Sequence, residues 1–125
     1  MEKQPRFTVS TVTHYLESQS DPEIPRYAFS YTITIENIGT IDAKLLRRHW
    51  VITDANGKEM VVDGEGVVGE QPLIAVDDHY VYTSGTLIET PLGVMEGHYI
   101  FVTADGTEYQ IAIPPFRLAL PNMLH

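Results

Sequence analysis

The stretch RYAFSYTITIENI, Arg26 to Ile38, decides the fold class. Tyr27, Phe29, Tyr31, Ile33 and Ile35 fall on one face and Ala28, Ser30, Thr32, Thr34 and Glu36 on the other, a two-residue period that belongs to a half-buried strand. Upstream, FTVSTVTHYLE (Phe7 to Glu17) is rich in β-branched and aromatic residues and predicts a first strand. Its apolar phase slips between Val9 and Val12, as at a bulge or in a two-sided strand.

Downstream the pattern repeats. KLLRRHWVIT (Lys44 to Thr53) meets Asp54-Ala55-Asn56-Gly57 and then KEMVVD, and Asn56-Gly57 supplies the positive φ angles of a tight hairpin. GHYIFVT and EYQIAI form a second hairpin around Ala104-Asp105-Gly106-Thr107. HYVYTSG (His79 to Gly85) is another strand, entered from Asp77-Asp78 as a turn, and FRLAL after Pro114-Pro115 is a last edge segment, where proline is tolerated. No apolar stripe at helical spacing is sustained, so the fold class is all-β, an antiparallel β-sandwich of about seven strands. The expected core contains Tyr27, Phe29, Tyr31, Ile33, Ile35, Trp50, Tyr99, Phe101 and Ile111. Ser18 to Arg26 is a polar, proline-containing loop, not a linker, and the whole chain, 1–125, is expected to be a single domain.

The composition excludes several function classes. Seventeen acidic against eight basic residues give a formal charge of -9, which repels a polyphosphate backbone, so nucleic acid is not an expected partner. The absence of cysteine excludes disulfides, a thiolate nucleophile and any Cys-based metal site. No apolar run reaches signal-peptide length or the roughly 20 residues that span a bilayer. A cytoplasmic protein with no membrane partner is the expectation.

One motif demands a decision: GEGVVGEQP (Gly64 to Pro72) contains G-x-G-x-x-G at Gly64, Gly66 and Gly69. A dinucleotide site needs a strand before those glycines and a helix N-terminus after them. Pro72 falls where that helix should run, there is no Gly-Lys-Ser/Thr, and Glu65 and Glu70 would face the phosphates with their own charge. A Rossmann site is excluded, and the glycines are read as allowing positive φ in an irregular crossover between the two sheets. A different anion nest would have to combine their amides with Arg47 and Arg48.

Strand alternation sends Arg48 and Trp50 to one face and Arg47 and His49 to the other. Arg48 then points inward near a strand end, or the strand bends, and a carboxylate such as Glu65 or Glu89 is its expected partner. The histidines, His14, His49, His79, His98 and His125, show no metal-ligand spacing, and Asp77-Asp78-His79 reads as a turn, so neither metal nor cofactor is expected. Ser84 lacks a G-x-S-x-G elbow and has no evident base, so no catalytic residues are assigned. Ile88 to Gly93 reads as a turn-rich connection.

The combination GEGVVG, then TSG, then TPLG-M-GHY, with YAFSYTITIEN and LLRRHWVITDANG before it and PPFRLALPNMLH after it, closely resembles the ApaG family of small bacterial proteins over nearly the whole chain. The resemblance implies a fibronectin type III or immunoglobulin-like sandwich. The family is genetically tied to a diadenosine tetraphosphatase and to cobalt or magnesium tolerance, and its glycine motif has prompted a pyrophosphate-binding suggestion. Related domains occur in eukaryotic F-box proteins and in a polymerase-delta-interacting protein, where protein contact is the usual inference. The expected function is a non-enzymatic binding module with an unidentified protein partner, as a monomer or weak homodimer. The alternative is a ligand-binding or regulatory protein for a pyrophosphate-containing nucleotide or a divalent cation.

Overall fold

The computed structural model describes residues 4–121. Eight strands follow one another: β1 (Phe7–Tyr15), β2 (Tyr27–Asn37), β3 (Ala43–Asp54), β4 (Glu59–Glu65), β5 (Leu73–Ile74), β6 (His79–Ile88), β7 (Leu92–Val102) and β8 (Glu108–Ala119). The only helical element lying wholly within the described residues is a 3-10 turn, Glu17–Gln19, and no helix there is long and apolar enough to cross a membrane. The strands form an antiparallel β-sandwich: a three-stranded sheet in the order β1-β2-β6 faces a sheet in the order β4-β3-β7-β8, with β5 also paired to β3.

The alternation that predicted β2 is what builds the core. Phe29, Tyr31, Ile33 and Ile35 point between the sheets and meet Leu45, Trp50 and Ile52 of β3, Met95, Tyr99 and Phe101 of β7, and Ile113 and Leu118 of β8. Trp50 is 2% exposed and meets the rings of Tyr31, Tyr99 and Phe116 edge-on, with centroids 5.6 to 6.3 Å away. Each such large apolar side chain stabilises the fold by about 1.5–3 kcal/mol through removal from water. Tyr27 and Ile111, expected inside, are partly buried and pack against this cluster. The hydroxyls of Tyr82 (β6) and Tyr99 (β7) hydrogen-bond to each other across the sheets, so neither buried oxygen is left unpartnered.

Both expected hairpins form. Gly57, at φ +82°, and Gly106, at φ +86°, take the left-handed positions of the β3–β4 and β7–β8 turns, while Asn56, expected to share the positive φ, does not, because the turn from Asp54 to Lys58 needs only one left-handed residue. β1 pairs with β2 without a register shift, so the slip read at Val9–Val12 is not a bulge: Val12 lies on the outer face and is 58% exposed. Nor is FRLAL a separate segment. It continues β8 through Pro114 and Pro115, which lie opposite the single residue Glu96 where the register shifts, a bulge on an edge strand whose missing amides no neighbour requires.

Candidate functional site

β4 and β5 both run antiparallel to β3 and lie on the side of β3 opposite β7. Together they are one broken strand, and the glycine motif is the excursion that breaks it. The motif therefore lies along one edge of the larger sheet and not in the crossover between sheets, which follows at residues 75–78. Val67 and Glu70 exchange backbone hydrogen bonds of 2.8 and 2.9 Å around Val68 (φ +44°) and Gly69 (φ +82°), a two-residue turn with both central residues left-handed. Val67 is completely buried and anchors this small hairpin in the core.

The groups around the excursion satisfy one another. Leu46, the extra residue where the β3–β7 register shifts, accepts the Gly66 N–H at 2.8 Å and Gln71 Nε2 at 3.0 Å on its carbonyl. Arg48 Nη1 donates to the carbonyls of Glu65 at 3.1 Å and Gly66 at 2.9 Å. The partner of Arg48 is thus backbone, not the carboxylate of Glu65 or Glu89, because the inward-pointing guanidinium meets the chain where it turns out of the sheet. Glu89 pairs instead with Lys58 at 2.7 Å. Gly64 is small because the guanidinium lies over it, 2.6 Å from where a Cβ would sit; at Gly66, φ +60°, a Cβ would lie 2.0 Å from the Glu70 carbonyl oxygen. Tyr80 of β6 donates to Glu70 Oε2 at 2.9 Å, tying the hairpin to the other sheet, and burial followed by this bond pushes its phenol above the ordinary value.

Arg47 points to the opposite face and pairs with Glu108 at 2.7 Å, so the two arginines do not converge. On that outer face, Asp63, His49 and His98 stand opposite one another on β4, β3 and β7. His49 Nδ1 is 2.6 Å from Asp63 Oδ1, and the two imidazoles stack with centroids 4.9 Å apart. Burial, and then the neighbouring His49, lower the affinity of His98 for a proton, opposed by Asp63. Sequence reading missed this row because cross-strand register is not a local signal. Among the described residues no group of three or more His, Asp or Glu side chains is arranged to hold a metal ion. Asp77 (φ +68°) and Asp78 form the turn into β6, where Asp78 Oδ1 accepts the His79 amide at 2.8 Å. His125 lies outside the described residues.

The outer edge of β4 has no neighbouring strand among the described residues. Its ladder with β3 is bracketed by the Asp54 N–H donating to Lys58 O at 3.0 Å and the Gly66 N–H donating to Leu46 O at 2.8 Å. Bonding alternates along an antiparallel strand, so Met60, Val62 and Gly64 face β3, while the backbone groups of Glu59, Val61, Asp63 and Glu65 face outward without a neighbouring strand. Met60 and Val62 belong to the inner face, opposite buried Ile52 and Trp50, yet remain 39% and 37% exposed because the smaller sheet ends before covering them. A recess lined by Ile52, Met60, Leu87 and Ile88, with Asp54, Lys58 and Glu89 at its rim, opens beside this edge.

Comparison with known proteins agrees with this frame. The ApaG domain profile matches residues 17–103. The chain is 60% identical over 121 residues to Protein ApaG of Photobacterium profundum, covering 97% of this chain and 95% of that protein. It is 52% identical over 122 residues to Protein ApaG of Vibrio vulnificus, covering 98% and 97%. A crystal structure described as the putative ApaA protein from Bordetella pertussis superposes with a TM-score of 0.92 at 41% identity, covering 97% of this chain and 98% of that one. With a matching domain profile, full-length relatives and a shared three-dimensional frame, the chain belongs to the ApaG domain family.

Proposed function

We propose that this protein is a non-enzymatic, protein-binding module whose contact surface is the exposed edge of the sandwich at β4, beside the end of β6. The observation that carries this reading is that edge: a strand with no neighbour on one side, with Met60 and Val62 39% and 37% exposed on its inner face and Val61 59% exposed on its outer face. An edge strand with exposed backbone and exposed apolar side chains can take up a strand from another chain, and its acidic residues restrict which strand that is. The arrangement of β1, β2 and β6 against β3, β4, β7 and β8 also supports a fibronectin type III-like reading of the sandwich.

A nucleotide or cation ligand at the glycine motif is the weaker reading. Arg48, the Gly66 amide and the backbone of Val67 and Glu70 are already bonded within the loop, and Arg47 is directed elsewhere. An incoming phosphate would first have to break these bonds. The test is affinity capture on the immobilised protein followed by mass spectrometry, with a stoichiometric protein partner expected. Recovery of none, together with saturable amide shifts at Gly64, Gly66 and Gly69 on adding diadenosine tetraphosphate with magnesium, would reverse the order of the two readings.

A further inference from the structure

We propose that the β4 edge accepts an extended segment that alternates basic and apolar residues, adding it as a further strand of the larger sheet. The proposal rests on the binding-module reading and states the chemistry of the partner. Two independent features of β4 specify it. On the outer face, the residues whose amides point away from β3 are Glu59, Val61, Asp63 and Glu65, three of them acidic, and of their carbonyls that of Glu65 is held by Arg48. Glu59 and Glu65 have no ion-pair partner among the described residues, and only Asp63 is engaged, by His49 at 2.6 Å. A strand laid alongside places its own side chains directly opposite these carboxylates, where opposite charge is favourable and like charge is not. On the inner face, Met60 lines the recess of Ile52, Leu87 and Ile88 at 39% exposure and Val62 follows it at 37%, so the alternate residues of the incoming strand must be apolar.

The same pattern argues against a second copy as the occupant. Antiparallel pairing of two identical edges about a two-fold axis matches residues symmetrically. Centred on Val61, Glu59 meets Asp63; centred on Val62, Glu59 meets Glu65; centred on Asp63, the carboxylate meets itself. Each full-length register opposes acid with acid, on a chain that already carries a formal charge of -9.

The experiment titrates the isotopically labelled full chain with a capped octapeptide of alternating lysine and valine. Its controls are the same composition in two blocks and a glutamate–valine alternation. The expected result is saturable amide shifts confined to Glu59–Glu65 and their neighbours, with slowed hydrogen exchange at Glu59, Val61, Asp63 and Glu65. Val61→Pro, which removes an amide that β3 does not use, should abolish binding. If that variant fails to fold, Val61→Lys keeps every backbone bond and sets a cation at the centre of the edge; it should weaken binding about tenfold. Glu59→Gln with Glu65→Gln should weaken it by a similar factor and flatten its salt dependence. Equal binding of a control peptide, shifts that map elsewhere, or unchanged binding by both Val61 variants would overturn the proposal, as would concentration-dependent self-association lost in Val61→Pro. A captured protein partner retained by both Val61 variants would also overturn it, leaving a protein-binding module whose contact surface lies elsewhere than β4.

Discussion

Arg48 Nη1 lies 2.9 Å from the carbonyl oxygen of Gly66, closing the base of the glycine hairpin with a charge on backbone oxygen. A second bond of 3.1 Å to Glu65 O makes the guanidinium a bridge across the point where the strand leaves the sheet. Replacing it with Met keeps the aliphatic stem but strands both carbonyls, so Arg48→Met should lose about 1–3 kcal/mol in urea denaturation. Arg48→Lys should recover only part of that loss, because a single ammonium lacks the planar fork. Parent-like stability in Arg48→Met would mean that the hairpin holds itself.

The hairpin turn orders three further variants. Gly66→Ala places a methyl 2.0 Å from Glu70 O at φ +60° and should cost about 2–4 kcal/mol. Gly69→Ala, at φ +82° but with open space around it, should cost about 1–2 kcal/mol. Val68 is a β-branched residue at φ +44°, where Asn is far better tolerated, so Val68→Asn should gain about 0.5–1 kcal/mol. Thermal denaturation midpoints should fall in the order Val68→Asn, parent, Gly69→Ala, Gly66→Ala.

The Tyr82–Tyr99 pair predicts alkaline sensitivity. Burial pushes both phenols well above their ordinary value. The unfolded chain releases these protons near pH 10, a typical value for tyrosine, while the folded chain keeps them. Above that pH the unfolded state binds fewer protons, so the stabilisation is complete below about pH 10 and is lost as pH rises. Tyr82→Phe should cost about 1–3 kcal/mol by leaving the Tyr99 hydroxyl unpartnered, and Tyr82→Phe/Tyr99→Phe should cost less than the sum of the single changes. Denaturation across an alkaline series should find the double variant less steeply pH-dependent than the parent.

His98 tests the stacked pair on the outer face. Because burial comes first and His49 second in lowering its proton affinity, its imidazole should titrate below about pH 6.5, the usual midpoint. A depressed histidine stabilises the fold above that ordinary midpoint, and the contribution is lost as pH falls toward the folded value. His49→Gln removes the neighbouring imidazole that lowers the proton affinity of His98 and should move the His98 midpoint upward in an NMR titration. An unmoved midpoint would leave burial as the sole cause.

Trp50 and Arg48 show how far local reading reaches. Alternation alone places both on the inner side of β3, and Trp50 lies there at 2% exposure. The same reasoning supplied a carboxylate partner for Arg48 where the chain uses carbonyls, because it could not see that β4 leaves the sheet beside it and turns its backbone oxygens inward. Val12 misled in the other direction: an apolar residue on the outer face resembles a slip of phase until the pairing with β2 shows an unbroken ladder.

By itself, the sequence determined what short-range physics controls. Two-residue alternation made strands of Tyr27–Asn37 and its neighbours, Gly57 and Gly106 closed hairpins through positive φ, and Pro72 denied the glycine motif a helix. Which strands stand at an edge, and which side chains meet across them, only the tertiary structure decided. Stacking of His49 on His98, the hold of Arg48 on the glycine hairpin, and the exposure of Met60 and Val62 all depend on register and sheet order. Those are set by the sum of burial over strands far apart in the chain, and no window of neighbouring residues contains that sum.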